Sequence, residues 1–161
     1  LSGARSDSRR PPSRIGADLA RARTCYDHFA GRLGIAIHDA LVDGGHLTVS
    51  EGGYGLTRIG AAIFAGLGID LAAAGKSRRA PLRPCLDWSE RRPHLAGSLA
   101  AALACRCFEA GWVRRIRDSR AVELTVPGRE ALEAGLPGLR CDEPEAARHS
   151  RVEPGAAPRI S

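Results

Sequence analysis

Apolar positions along this chain fall into two stretches that repeat one another. His28-Phe29-Ala30-Gly31 opens the first and His94-Leu95-Ala96-Gly97 the second, an offset of 66 residues. At that offset Leu33 falls on Leu99, Ala36 on Ala102, Ile37 on Leu103, Leu41 on Cys107, Val42 on Phe108, Asp43 on Glu109, Gly45 on Gly111 and Leu47 on Val113. Leu56-Thr57-Arg58-Ile59-Gly60 then matches Leu124-Thr125-Val126-Pro127-Gly128 at an offset of 68. The second copy has therefore gained two residues in the intervening loop, where insertions are tolerated. Two such copies predict two similar units packed about a pseudo-twofold axis.

In the first copy Phe29, Leu33, Ile37 and Leu41 recur every fourth residue, flanked by Ala36 and Ala40, which predicts a helix from Asp18 to about Asp43. Gly44-Gly45 ends it. His46 to Ser50 alternates as a strand, Glu51-Gly52-Gly53 makes a turn, Tyr54 to Thr57 returns as a second strand, and Thr57 caps a helix to about Leu67. The same order recurs from His94 to about Leu136. The predicted fold class is mainly α with short β-hairpins (α+β). This order of helix, turn, strand, hairpin, strand and helix is that of the wing region in winged-helix proteins, so the two tandem units read as degenerate winged-helix-like repeats. The expected layout is a disordered arm over 1–16, repeat 1 over 17–70, a basic Pro/Arg-rich join over 71–92, repeat 2 over 93–137 and a disordered tail over 138–161.

The 161 residues, 43% of them hydrophobic, suit one domain or two very small ones. No window reaches the roughly 18 apolar residues of a membrane helix and no signal peptide opens the chain, so a cytoplasmic address and no membrane partner are expected. With no Met anywhere, Leu1 is not a natural start, and the chain is expected to be a fragment lacking its N-terminal part. The net charge of +6 comes from Arg, Lys76 being the only Lys. Arg5, Arg9, Arg10, Arg14, Arg21 and Arg23 crowd the N-terminal arm; Lys76, Arg78, Arg79 and Arg83 fill the join; Arg114, Arg115, Arg117 and Arg120 sit in one short hairpin. Any of the three could meet phosphate, but the first two clusters read first as solvated surface and solvated linkers. Five Cys without a signal peptide argue for reduced thiols rather than a disulfide framework.

Arg23-Thr24-Cys25-Tyr26-Asp27-His28-Phe29-Ala30-Gly31-Arg32-Leu33-Gly34 and Arg83-Pro84-Cys85-Leu86-Asp87-Trp88-Ser89-Glu90-Arg91-Arg92-Pro93-His94-Leu95-Ala96-Gly97 resemble the C-terminal half of a group of bacterial ArsR-type helix-turn-helix transcriptional regulators. The likeness covers about residues 17 to 137. It implies an N-terminal winged helix, absent from this chain, as the reader of double-stranded DNA. Cys105-Arg106-Cys107, where aliphatic residues are expected, and the acidic, Pro-rich tail after Leu139 depart from the pattern.

The two motifs are related to each other. Cys-x-Asp occurs at Cys25/Asp27 and at Cys85/Asp87, and each is followed by the repeat's His, the second after a six-residue insertion. A pseudo-twofold would bring Cys25 and His28 opposite Cys85 and His94. Thiolate and imidazole are the ligands of zinc and similar thiophilic divalent metals, and Cys25 with His28 at i, i+3 share one face of the predicted helix. A Cys2His2 metal site, a small-molecule or redox pocket, and plain structural packing are the open readings. Asp27, Asp87 and Trp88 are candidate effector-pocket residues, although Asp87-Trp88-Ser89-Glu90 also suits a helix cap, with Asp87 accepting from the first amides and Glu90 reaching back. Cys105 and Cys107 at i, i+2 point to different sides of a helix and are expected as buried packing residues.

A DNA-reading helix needs polar and basic side chains for the major groove. His94 to Ala110 offers Arg106 alone, and His28 to Asp43 sets Arg32 against Asp39 and Asp43. Only the Arg114, Arg115, Arg117 and Arg120 hairpin suits DNA phosphate. The expected function is the dimerisation and effector-sensing C-terminal region of such a regulator, a homodimer that is not an enzyme. Two alternatives stand beside it, a metal- or thiol-dependent enzyme domain using the Cys/Asp/His set and a pure protein-interaction module. The chain carries no Gly-rich phosphate loop, nucleophile elbow or HExxH helix to favour an enzyme.

Overall fold

The structure, a computed structural model, describes residues 14–142. Most of both expected disordered arms, 1–13 and 143–161, lies outside the described residues. The first half runs α1 (Arg14–Arg21), β1 (Arg23–Cys25), β2 (His28–Ala30), α2 (Gly31–Asp43), β3 (Leu47–Ser50), β4 (Gly53–Leu56), α3 (Arg58–Gly66). The second runs α4 (Leu71–Gly75), β5 (Arg83–Leu86), β6 (Pro93–Ala96), α5 (Ser98–Glu109), β7 (Val113–Arg115), β8 (Val122–Leu124), α6 (Val126–Gly135). Each strand pairs antiparallel with its sequence neighbour in a two-stranded sheet, so the fold is mainly α with short hairpins, as expected.

The helix predicted over 18–43 is divided. α1 and α2 are separate, and β1 and β2 stand between them. Tyr26 takes a left-handed φ of 57° to turn the chain, and Gly31, at φ 71°, enters α2 with backbone that ordinary residues rarely adopt. In the second half, likewise, His94 lies on β6 and α5 begins only at Ser98. The stretch 71–92, read as a join, carries α4 and β5. The segment after 138 begins inside the core, where Leu139 is fully buried.

Equivalent residues of the two halves occupy equivalent places. Leu33 and Leu99 are both buried, as are Leu41 and Cys107. Thr57 caps α3 by accepting from the Gly60 N–H at 3.0 Å, and Thr125 caps α6 by accepting from the Gly128 N–H at 3.1 Å. A Cβ on Gly60 would collide with the His46 carbonyl, and one on Gly128 with that of Trp112. That close approach explains the repeated Leu-Thr-x-x-Gly.

The halves are joined reciprocally. The Tyr54 N–H donates to the Leu82 carbonyl at 2.9 Å, and the corresponding Val122 N–H donates to the Ala22 carbonyl at 3.1 Å. α2 packs on β6, while α5 packs on β2. One apolar core runs through both halves, built from Phe29, Leu33, Ile37, Leu41, Phe64, Leu95, Leu99, Leu103, Leu132 and Leu136. Such an exchange of contacts is what an approximate twofold produces. It brings β2 and β6 side by side at the seam.

Candidate metal centre

Each half contributes one hairpin to that seam. In the first, Tyr26 and Asp27 turn the chain so that Cys25 and His28 are directly opposed partners. In the second, Cys85 and His94 are opposed in the same way, and residues 87–92 form the longer loop that the six-residue insertion creates. Opposed residues of an antiparallel pair project from one face, so each hairpin presents one thiol and one imidazole together. The i, i+3 pair Cys25 and His28 thus shares a face as a cross-strand pair and not, as the helix prediction had it, over one helical turn.

The four side chains converge. His28 Nε2 and His94 Nε2 are 3.2 Å apart, and one ligand atom from each of Cys25, His28, Cys85 and His94 lies within 4.8 Å of the others. Two nitrogens bound at 2.0–2.1 Å to a tetrahedral zinc would be separated by about 3.3 Å, close to the spacing of these imidazoles. The histidines are buried and the cysteines half-buried, so the sulfur side is the open side.

A carboxylate stands behind each imidazole. Asp27 Oδ1 accepts a hydrogen bond from His28 Nδ1 at 3.4 Å, and Asp87 Oδ2 is 3.2 Å from His94 Nδ1, within ion-pair range though poorly aligned for a hydrogen bond. These contacts leave both Nε2 atoms aimed at the seam, as metal-ligating histidines are commonly oriented. The carboxylates differ in surroundings. Asp27 is partly exposed and receives Arg79 Nη1 at 2.5 Å, which is the main cause of its lowered pKa. Asp87 is fully buried. Its Oδ1 accepts from Arg23 Nη2 at 2.8 Å, from the Ser89 backbone at 3.0 Å and hydroxyl at 2.7 Å, and from the Glu90 N–H at 3.2 Å. Its Oδ2 accepts from the Gly31 N–H at 2.7 Å. Burial alone would raise the Asp87 pKa, but these donors hold the carboxyl well below the usual range.

Asp87 therefore caps a helix, though not the one expected. Asp87 does accept from the following amides, Ser89 and Glu90, but residues 88–90 are a turn, and the helix amide it satisfies is the first of α2 in the other half, whose own N-cap residue, Ala30, has no side-chain oxygen. The role of Arg23 was also not evident from sequence. Grouped there with the basic arm, it is buried between Asp87 and the Trp88 ring, 4.5 Å from the ring centroid. Its place in the repeat, two residues before Cys25 as Arg83 stands two before Cys85, was the available signal.

Desolvation lowers the pKa of His28 against the opposing pull of Asp27. Desolvation, then the neighbouring His28, lowers that of His94 to about 4. Both imidazoles are therefore neutral near neutral pH, the form that ligates metal. Burial, then the adjacent Cys25, raises the pKa of the Cys85 thiol.

The expected effector-pocket residues form no pocket among the described residues, Asp27 and Asp87 standing behind the imidazoles instead. Trp88 is exposed. None of Asp27, Asp87 and Trp88 lines the cleft of about 600 Å³ that opens between α1, α2, β8 and residues 140–142. Its walls include Leu33, Ala36, Val122 and Leu124, and its rim carries the ion pairs Arg32–Asp142 and Arg92–Asp39. Arg114, Arg115, Arg117 and Arg120 are all exposed; Arg114 pairs with Glu123 at 3.2 Å and Arg115 stacks 4.4 Å from the Phe108 ring centroid. Cys107 is buried as expected, but Cys105 is exposed and donates to Glu109 at 3.4 Å, because the face two residues away from a core position on α5 looks outward. Among the described residues, no helix is long and apolar enough to cross a membrane.

The chain is 43% identical over 119 residues to the Bacillus subtilis (strain 168) protein named uncharacterized HTH-type transcriptional regulator YdfF. That match covers 74% of this chain and 53% of the relative, so the chain spans about half of the relative's length. No protein-family model matches the chain, and no solved structure matches it.

Proposed function

We propose that this chain is the dimerisation and effector-sensing region of an ArsR-type, DNA-binding transcriptional regulator, and that Cys25, His28, Cys85 and His94 hold one zinc ion at the seam between its halves. The regulator reading rests on the similarity to an HTH-type regulator along three quarters of the chain. The metal reading rests on the convergence of two thiols and two imidazoles, each imidazole backed by a carboxylate. Each hairpin supplies only two donors, so neither half can hold the ion alone. The metal is thus a clamp between halves whose binding free energy adds to folding.

Four protein donors close a tetrahedral site, and a closed site is the structural kind; catalytic zinc keeps a position open for water or substrate. This favours a regulator or binding region over a metal-dependent enzyme. Base reading belongs to the part of such a regulator that this match does not span, because α2 and α5 turn apolar faces into the core. The Arg114, Arg115, Arg117 and Arg120 hairpin lies along DNA phosphate. Tyr26, Leu86 and Trp88, large and exposed around the two metal-site hairpins, supply contact area for the second copy of a homodimer. The small effector fits the cleft of about 600 Å³, a volume usual for such ligands, while Asp27 and Asp87 support the imidazoles.

Elemental analysis of the chain purified from zinc-supplemented cells tests the central point. One zinc per chain is expected, lost in Cys25→Ser and in His94→Ala but retained in Cys105→Ser. Zinc content unaffected by the first two variants would refute the site.

A further inference from the structure

We infer that Cys25 and Cys85 are a peroxide-oxidisable pair, which closes to an intramolecular disulfide and so releases the metal of the centre proposed above. The inference rests on that reading for the metal, and on the structure alone for the sulfur pair. The two sulfurs belong to different halves and lie within 4.8 Å of each other. Their side of the centre is the accessible one: both cysteines are half-buried, whereas His28 and His94 are covered. A small oxidant reaches sulfur before it reaches the imidazole side.

The remaining cysteines are placed differently. Cys107 and Cys141 neighbour one another, but burial pushes both thiols up to about 12, which leaves no useful thiolate fraction. Cys105 faces solvent beside Glu109, whose hydrogen bond and charge raise its thiol pKa. Burial and Cys25 raise the Cys85 thiol pKa in the metal-free chain as well, but in the zinc-loaded centre both sulfurs of the Cys25/Cys85 pair are thiolates, the nucleophilic form, because a coordinating thiol is deprotonated outright.

The chemistry balances with hydrogen peroxide as the named oxidant. One thiolate attacks a peroxide oxygen, the O–O bond breaks, and a sulfenic acid forms as hydroxide leaves and takes up a proton. The second thiolate attacks that sulfenic sulfur, the S–S bond forms, and the departing hydroxide is protonated to water. Two thiolates, one peroxide and two protons give one disulfide and two waters. Sulfur loses two electrons and the peroxide gains them. The disulfide has no thiolate left to offer, so the ion keeps only the two imidazoles and dissociates.

The test treats the zinc-loaded chain, and in parallel the chelator-stripped chain, with hydrogen peroxide. Free zinc is followed with a colorimetric chelator and disulfides are mapped by mass spectrometry of unreduced peptides. Expected are stoichiometric zinc release in step with a Cys25–Cys85 cross-linked peptide, a monomeric mass on non-reducing electrophoresis, and recovery of zinc binding after reduction. Cys105→Ser should release zinc as the unsubstituted chain does, and Cys25→Ser should give no cross-link with Cys85. The inference is overturned if peroxide leaves Cys25 and Cys85 reduced, or drives them to sulfinic and sulfonic acids without cross-linking. A chain that binds no zinc yet forms the Cys25–Cys85 disulfide overturns the metal reading and leaves the thiol pair standing, so the two failures are distinguishable.

Discussion

Replacing Asp87 by Asn keeps the size of the side chain and removes its charge. The carboxylate takes Arg23, Ser89 and Glu90 on one oxygen and the Gly31 N–H on the other, with no exposed surface. An amide must put its NH2 against one of these donor sets. If it faces Gly31, the first amide of α2 loses its acceptor, a cost of about 1–3 kcal/mol for a buried donor left unsatisfied. In either orientation Arg23, 1% exposed, loses its counter-charge, and breaking a buried pair from one side costs about 3–5 kcal/mol. The two effects share a network and do not simply add. The expected loss is about 3–5 kcal/mol, a large share of the roughly 5–15 kcal/mol that holds a typical domain together. Loss of the partner behind His94 should also weaken zinc binding by about 10–100-fold. Asp27 is the sequence equivalent, but it is partly exposed against the surface residue Arg79, so Asp27→Asn should cost no more than about 1 kcal/mol. Urea unfolding of the metal-free chain followed by circular dichroism, with competitive zinc titration of each variant, reads both quantities. Equal, small effects for Asp87→Asn and Asp27→Asn would refute the assignment of Asp87 as the buried support of the centre.

Gly128→Ala raises helix propensity by about 0.5–1 kcal/mol but drives a methyl into the Trp112 carbonyl. A net loss of about 1–3 kcal/mol is expected in thermal or urea unfolding, and a gain would contradict the close approach. Zinc at 1,000 times its dissociation constant should stabilise the chain by about 4 kcal/mol, and Cys85→Ser should abolish that increment in calorimetry with and without chelator. For a regulator that contains this region, changing Arg114, Arg115, Arg117 and Arg120 to Ala should reduce the slope of log affinity against log salt by roughly 3 to 4 while weakening all duplexes alike. An unchanged slope would remove that hairpin from the DNA interface.

The register of the repeat was legible because core positions tolerate little change, and Leu33/Leu99 and Leu41/Cys107 occupy matching buried places. Thr-x-x-Gly was legible for a similar reason: the cap needs the Thr and the close carbonyl needs the Gly. The first hairpin was not. Its turn, Tyr26-Asp27, lacks the Asn-Gly or Asp-Gly signal that two-residue turns favour, and Phe29 falls in step with the helical stripe of Leu33, Ile37 and Leu41 while lying on β2. Spacing could not separate the two structures. A separation of i, i+3 joins residues over one helical turn and equally joins cross-strand partners around a two-residue turn. The four metal-site candidates therefore converge in the structure, but from cross-strand pairs and not from one helical turn. Buried Arg23 was hidden by its neighbours in an Arg-rich arm, since charge runs are most often solvated.

X-ray absorption spectroscopy of the zinc-loaded chain tests the central claim most directly. Two sulfur neighbours at about 2.3 Å and two nitrogen neighbours at about 2.0–2.1 Å are expected, with the sulfur shell halved in Cys25→Ser. A shell of oxygen and nitrogen alone, or a sulfur shell that Cys25→Ser leaves intact, would contradict the account.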